Sequence, residues 1–358
     1  MSVSAIVVNY YTAALLPELC ASLHGQDFLQ ELVIVDNSRE YISTQFLEKK
    51  SGFPVRVLEN KANVGFAVAV NQAIQKVCAD FVLIVNPDAR LLKGCVRAMV
   101  QTAQMQPCPL VGPRFYWDDE KLFRLPPATG DNLWLGFAGQ SAGGFALDAE
   151  LLSFYWTLRH ERFWSMQEPF FEPFLSGACL LVDTSWIREM HNILFDERFF
   201  LYYEDTDLCV RAMAQGIRPM CAPEAGVIHY WNQSPDPALS KSELIKKARN
   251  QFMEKHYGKL TSYPEITESV SSSLNFSEPG KENNLPFFCW DAHILESKNI
   301  YFEFGLNPYF VPFAQANVTE NCFTLPVPIH ERLFPGNYYF RLRSPVSGLK
   351  KIWKWNKK

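Results

Sequence analysis

Short, largely apolar runs separated by polar turns organise the first part of this chain. Leu32 to Val35 and Phe81 to Val85 are apolar throughout, and Val3 to Val8 and Val55 to Leu58 are strand patterns with one polar residue each, Ser4 and Arg56. That pattern predicts strands buried on both faces of a parallel sheet. Between them the spacing changes to that of helices. Leu16, Leu19, Cys20 and Leu23 fall on one helical face within Leu15 to Leu23, and the stretch after Asn63-Val64-Gly65-Phe66-Ala67 leads into a helix through Asn71 to Val77. Strand and helix in alternation predict an α/β domain with a Rossmann-like, mostly parallel sheet flanked by helices.

From about Pro107 to Pro173 the periodicity degrades into an aromatic-rich segment, with a helix expected around Leu151 to Arg162. A packed subdomain and a sugar-stacking or lipid-holding surface are both open readings of it. Regular patterning returns at Phe174 to Val182 (strand), Thr184 to Met190 (helix) and Glu204 to Gln215 (helix). Two short strands, Ile217 to Cys221 and Gly226 to His229, and a Lys-rich amphipathic helix, Ser240 to Tyr257, follow. Residues 261–284 are rich in Ser, Glu, Pro and Asn and read as a linker. Ile300 to Phe304, Cys322 to Leu325 and Tyr338 to Leu342 predict a small all-β, sandwich-like domain over 285–345. The first domain is therefore expected over 1–260, with the aromatic segment as an insertion at about 115–170. Residues 346–358 are expected to be a basic tail. That tail holds five lysines and two tryptophans in its last nine residues. A contact with an anionic membrane surface and a solvated terminus are both open readings of it.

Composition narrows the class. A chain of 358 residues with 48% hydrophobic and 14% aromatic content can fill two cores. The net charge of −4 argues against a nucleic-acid partner. The nine cysteines show no C-x-x-C pair and lie mostly in apolar stretches, which favours a reducing, cytoplasmic setting. No signal-peptide pattern opens the sequence, and no apolar run approaches the roughly 18–20 residues that span a bilayer.

The candidate chemistry lies at the ends of the strand patterns. Asp36 ends Val33-Ile34-Val35, Asp88 follows Val85-Asn86-Pro87, and Glu204-Asp205-Thr206-Asp207 follows the aromatic run Phe199 to Tyr203. In open α/β sheets ligands sit at the carboxyl ends of the strands, so these acids are expected to converge. Asp36 suits a base or ribose contact, or a plain turn cap. Asp88 suits one ligand of a hard divalent cation that keeps phosphate and water oxygens, or a turn. Acids opening a helix are often simple caps. A partly dry site would instead raise a carboxyl toward the range of a general base. His229 suits a metal or diphosphate contact, or a core position. Gly65 opens a helix where phosphate would be attracted. The dinucleotide, P-loop and nucleophile-elbow fingerprints are absent.

The ordered set Ala5-Ile6-Val7-Val8-Asn9-Tyr10, Val35-Asp36-Asn37-Ser38, Asn63-Val64-Gly65-Phe66-Ala67, Asn86-Pro87-Asp88, Ser176-Gly177-Ala178, Phe195-Asp196-Glu197-Arg198, Tyr203-Glu204-Asp205-Thr206-Asp207 and His229 resembles the family 2 glycosyltransferases, in their rhamnosyltransferase-like branch. The resemblance covers residues 3 to about 258. It implies the GT-A fold and an inverting transfer from a UDP-, dTDP- or GDP-linked sugar to a glycan or lipid-linked acceptor, with Mg²⁺ or Mn²⁺. A role in surface polysaccharide or O-antigen synthesis, in the cytoplasm or at the inner membrane face, goes with it. It implies Asp205 as catalytic base and Asp88 and His229 as metal ligands. Asn9, Asp36, Asn63, Gly65 and Asn86 would bind the nucleotide, and Gly177, Ala178 and Glu204 would line the donor or acceptor pocket. Two departures stand out. Asn86 replaces the first acid of the usual metal motif, and Asn192-Ile193-Leu194 replaces the usual Gly-Gly before Phe195-Asp196-Glu197. The Asn86 change leaves open a catalytically impaired module that only binds nucleotide-sugar or glycan. A nucleotidyltransferase is disfavoured by the lack of a glycine- and lysine-bearing loop at Val8-Asn9-Tyr10-Tyr11-Thr12.

Overall fold

The computed structural model describes residues 1–130, 146–230, 241–258, 275–291, 300–344 and 348–358. The chain forms two compact units: Met1–Arg114, Pro127–Asn132 and Met166–Ser262 in one, and Phe115–Pro126, Leu133–Ser165 and Tyr263–Lys358 in the other.

Among the described residues the first unit is built on nine strands: β1 (Val3–Asn9), β2 (Leu29–Asp36), β3 (Val55–Glu59), β4 (Phe81–Val85), β5 (Ala89–Leu91), β6 (Leu110–Tyr116), β7 (Phe170–Phe171), β8 (Cys179–Asp183) and β9 (Met220–His229). They form one sheet in the order β3-β2-β1-β4-β8-β6-β9-β5, with β7 beside β9. Strands β3, β2, β1 and β4 run parallel, and β8 adds to β4 antiparallel. The apolar runs explain the parallel half. Ala5, Ile6, Val7, Val33, Ile34, Val35, Val82 and Leu83 are all fully buried, as two-sided strands require. Helices Leu16–Leu23, Phe66–Ile74 and Cys95–Met105 each turn a buried stripe inward.

Three local expectations change. The strand expected from Phe174 begins only at Cys179, because residues 176–178 are drawn into a loop. There the Gly177 amide bonds Asp205 Oδ2 at 2.9 Å, and the Asn86 amide donates to the Ala178 carbonyl at 2.9 Å. The two strands expected over 217–229 are one continuous strand, β9. The turn that lacks its usual glycines forms all the same: His191 and Asn192 take left-handed φ of 57° and 61°, a conformation asparagine tolerates.

The second unit holds β10 (Gly280–Glu282), β11 (Leu285–Cys289), β12 (Ile300–Gly305), β13 (Phe313–Val318), β14 (Cys322–Thr324), β15 (Gly336–Ser344) and β16 (Gly348–Lys357). They form two antiparallel sheets, β10-β11-β14 and β13-β12-β15-β16. One aromatic core joins Trp117, Phe123, Phe288, Phe302, Phe340 and Trp353. The helix of the aromatic segment spans Ala146–Ser165 and belongs, with Phe115–Pro126, to the second unit, while Pro127–Asn132 and the residues from Met166 belong to the first. Glycines 136, 139, 143 and 144 and most of the expected linker lie outside the described residues. The end of that linker already forms β10.

The basic tail is corrected here. Residues 348–357 are strand β16, paired along β15 from Ser344↔Gly348 to Gly336↔Lys357. Trp353 is 2% exposed and packs edge-on to Phe288 at 5.5 Å. Its indole serves the core and is not available to a membrane surface. Trp353→Phe is expected to cost about 1–2 kcal/mol through lost apolar contact and a residual cavity. Chemical denaturation measures this; a frayed terminus would show no change.

Candidate active site

The carboxyl ends of β1, β4 and β9 open on one cavity of about 290 Å³. Val8, Tyr10, Asn37, Asn63, Gly65, Asn86, Asp88, Gly177, Ala178, Glu204, Asp205, His229 and Lys241 are among the residues that line it. Residues far apart in sequence thus share one opening, as strand ends in an α/β sheet should.

Asp88 is set by a turn. The Ala89 amide donates to the Asn86 carbonyl at 3.1 Å, and Pro87 fixes the backbone between them. The short strand that follows pairs Ala89 with His229, which brings His229 Nε2 to 3.3 Å from Asp88 Oδ1. Burial pushes the Asp88 carboxyl up, but the His229 ring and its hydrogen bond outweigh burial and hold it below the usual range.

Asp205 sits on the other acidic segment, in the first turn of helix Glu204–Ala214. Its Oδ2 accepts the Gly177 amide, and its Oδ1 accepts the Thr206 amide at 2.7 Å. Burial still raises its carboxyl above the ordinary value against those donors. Glu204 is pushed up to about 8 by burial and by the charge of Asp205. Asp207 plays a different part. It is fully buried and accepts Arg211 Nε at 2.8 Å and His256 Nε2 at 2.8 Å, with Lys255 also on Oδ1. It ties helix Lys241–Tyr257 to the helix that carries Asp205.

Asn9 and Asp36 are not among the residues that line the cavity. Both are completely buried. Asp36 Oδ1 accepts Asn9 Nδ2 at 2.9 Å and the Ser38 amide at 2.9 Å, while Oδ2 has no partner among the described residues. Asn37, the next residue, reaches the cavity and donates to Asn63 Oδ1 at 3.1 Å. Asn63 Oδ1 also accepts the Gly65 amide at 3.0 Å, so one asparagine pair shapes the turn before helix Phe66–Ile74. Tyr10, Phe200, Tyr202 and Lys241 also line the cavity, with no candidate role marked for them in the sequence. Tyr202 and Tyr203 adopt left-handed φ of 72° and 68°, a strained entry to the acidic helix. No one-dimensional signal marks that conformation; for Phe199 to Tyr203 only the aromatic run was visible.

Residues 4–177 match the family model described as Glycosyl transferase family 2. The N-acetylglucosaminyl-diphospho-decaprenol L-rhamnosyltransferase of Mycobacterium tuberculosis is 30% identical over 224 residues, 57% of this chain and 68% of that protein. The chain belongs to glycosyl transferase family 2. Within it, this glycosyltransferase is rhamnosyltransferase-like. A further relative is the Haloferax volcanii low-salt glycan biosynthesis hexosyltransferase Agl10, 21% identical over 260 residues, 70% of this chain and 74% of that one. Among solved structures, S. aureus TarS 1-349 overlays at a TM-score of 0.42 with 16% identity, over 71% of this chain and 72% of that chain. The family match ends at Gly177, so Asp205 and His229 of this glycosyltransferase lie beyond it.

All nine cysteines are free thiols. Among the described residues no helix is long and apolar enough to cross a membrane.

Proposed function

We propose that this enzyme transfers a sugar, with inversion, from a nucleotide-diphospho-sugar to a hydroxyl of a glycan or lipid-linked acceptor. The observation that carries the proposal is the shared cavity. Asp88 and His229 line it together with Asp205, so a leaving diphosphate and an attacking hydroxyl have separate groups to meet.

Asp205 is the base. Its ionised oxygens face a partly dry cavity, which raises basicity toward what deprotonation of a hydroxyl needs. The Gly177 and Thr206 amides fix its orientation. The acceptor oxygen attacks the anomeric carbon as its proton passes to Asp205, and the bond to the diphosphate oxygen breaks on the opposite face. No covalent nucleophile is needed, and the transition state is oxocarbenium-like.

Asp88 and His229 fit a divalent cation. An ionised carboxylate and an imidazole 3.3 Å apart offer two donors of types that Mn²⁺ accepts, and Mg²⁺ less readily through the imidazole. No group of three or more acidic, His or Cys side chains able to hold a metal occurs among the described residues, so diphosphate and water would complete the shell. Bound there, the cation supplies charge neutralisation for the departing diphosphate. Asp88→Asn is expected to remove the Mn²⁺-dependent part of thermal stabilisation by nucleotide-sugar, worth about 2.7 kcal/mol at a hundredfold excess over Kd. His229→Gln should weaken it in part. Equal stabilisation of Asp88→Asn and wild type by donor plus Mn²⁺ would contradict the assignment.

Screening UDP-, dTDP- and GDP-sugars for stabilisation tests the donor class, with rhamnose-bearing donors first because of the rhamnosyltransferase relative. That relative's name also puts lipid-linked diphospho-sugars first among acceptors, in surface polysaccharide or O-antigen-like synthesis. NMR of the product linkage tests inversion.

A further inference from the structure

The two adjacent carboxyls of the cavity are treated unequally by the protein. Asp205 receives the Gly177 amide, the Thr206 amide and the Thr206 hydroxyl at 2.9, 2.7 and 3.3 Å. These donors favour its ionised form. Glu204 is 6% exposed, lines the same cavity, and its Oε2 has no hydrogen-bond partner among the described residues. Burial and the neighbouring Asp205 charge both oppose its ionisation. Asp205 therefore loses its proton first and Glu204 keeps one. A buried polar oxygen left unpaired is costly, and the cavity that Glu204 lines can bring it a partner.

We propose that Glu204 works as a neutral carboxyl whose O–H donates a hydrogen bond to a sugar oxygen in the cavity, beside an ionised Asp205. This rests on the glycosyl-transfer reading above. Glu204 transfers no proton: the acceptor proton goes to Asp205, and the Glu204 proton stays on Glu204. The pair thus has one positioning acid and one base, separated by environment. The other titratable groups lining the cavity are Tyr10, Asp88, Tyr202, His229 and Lys241.

Difference infrared spectra of the free protein test the protonation directly. At pH 7 the wild type should show a buried carboxylic-acid C=O band that Glu204→Gln removes; absence of that band overturns the proposal whatever the enzyme transfers. With a donor found in the nucleotide-sugar screen, Glu204→Ala should lower kcat/KM about tenfold, the scale of one neutral hydrogen bond. Glu204→Gln, which still donates, should recover most of that loss. Equal loss in both variants, at unchanged Tm, overturns the proposal. Wild-type kcat/KM should fall as pH rises through about 8, and that limb should vanish in Glu204→Gln; its persistence overturns the proposal. A loss in donor affinity measured without acceptor places the partner oxygen on the donor, and a loss only in acceptor KM places it on the acceptor. If the band is present and no sugar is transferred, the transferase reading fails and the protonated Glu204 stands.

A second inference stands on the other unit. Strands β11 and β14 place Cys289 directly opposite Cys322. The Trp290 amide bonds the Asn321 carbonyl at 3.0 Å, and the Leu325 amide bonds the Pro286 carbonyl at 3.1 Å. Those bonds mark the hydrogen-bonded pairs, so 289 and 322 form a non-hydrogen-bonded pair, with Cα atoms about 4.5 Å apart in such ladders. Disulfides accept that spacing. Cys289 is exposed and Cys322 half-exposed.

We infer that this pair is a site of reversible disulfide formation by exchange with a small oxidised disulfide such as oxidised glutathione. A Cys289 or Cys322 thiolate attacks the glutathione disulfide and releases one reduced glutathione. The second thiol then displaces the other, so two protein thiols lose two electrons and two protons to the two reduced glutathiones. Peptide mass mapping after treatment with oxidised glutathione should show the 289–322 cross-link, reversed by dithiothreitol and absent from Cys289→Ser. Stable single-glutathione adducts in place of the cross-link, or no reaction, would overturn the inference.

Discussion

Asp205→Asn is expected to lower sugar transfer by about 10²–10⁴-fold, the range a general base contributes, while donor affinity stays near that of the wild type. The amide keeps the shape, and its one carbonyl oxygen can accept from either the Gly177 or the Thr206 amide, which bond Oδ2 at 2.9 Å and Oδ1 at 2.7 Å in Asp205, while its NH2 faces the other. What it loses is the negative charge and the ability to take a proton. A comparison of kcat with donor Kd separates the two contributions. Near-wild-type turnover would remove Asp205 from the reaction. The pH dependence carries the same sign. Burial raises the Asp205 carboxyl, so the active, ionised form is lost as pH falls, starting at a higher pH than for an exposed aspartate.

The second large effect is expected at Gly65. Its backbone sits at φ 87°, ψ 169°, a region essentially reserved for glycine. A Cβ there would lie 2.5 Å from the Phe200 carbonyl oxygen and 2.7 Å from its ring. That carbonyl cannot simply retreat, because it accepts the Phe66 amide at 2.7 Å and opens helix Phe66–Ile74. Gly65→Ala must therefore displace the segment that runs through Tyr202 and Tyr203 into Glu204 and Asp205. Strain and clash together should cost about 2–4 kcal/mol. Displacing the base by about 1 Å should lower transfer about 100-fold. Gly94→Ala is the control: its φ is 78° but nothing lies within 4 Å of the new carbon, so only about 1–2 kcal/mol of left-handed strain is expected. Similar losses of activity in the two variants would mean that the Gly65–Phe200 contact does not set the site.

The parallel half of the sheet was legible because burial on both faces leaves strands such as Val33-Ile34-Val35 wholly apolar. The meeting of Asp88 and Asp205 in one cavity was legible because one follows a strand pattern and the other opens a helix, while His229 was placed beside them by the family resemblance. What the residues did not show was decided by distant partners. Residues 174–178 have a strand composition, yet the Gly177 amide is bonded to Asp205, 28 positions away. Asn9 and Asp36 bond each other and Ser38, contacts between strand ends that the sequence does not show. In the tail, lysine and tryptophan suggested a membrane interface. The alternation Trp353, Lys354, Trp355, Asn356 was also a strand signal of period two, and pairing with Gly336–Ser344 resolved it.

The central claim is that Asp88 with His229, and Asp205, serve one activated sugar in a single cavity. A crystal structure with Mn²⁺ and the donor selected by the nucleotide-sugar screen tests it most directly. Anomalous scattering should place the ion on Asp88 and His229, with the diphosphate bound to it and the anomeric carbon turned toward Asp205. A donor seated elsewhere, or bound here with its sugar pointing away from Asp205, would contradict the account.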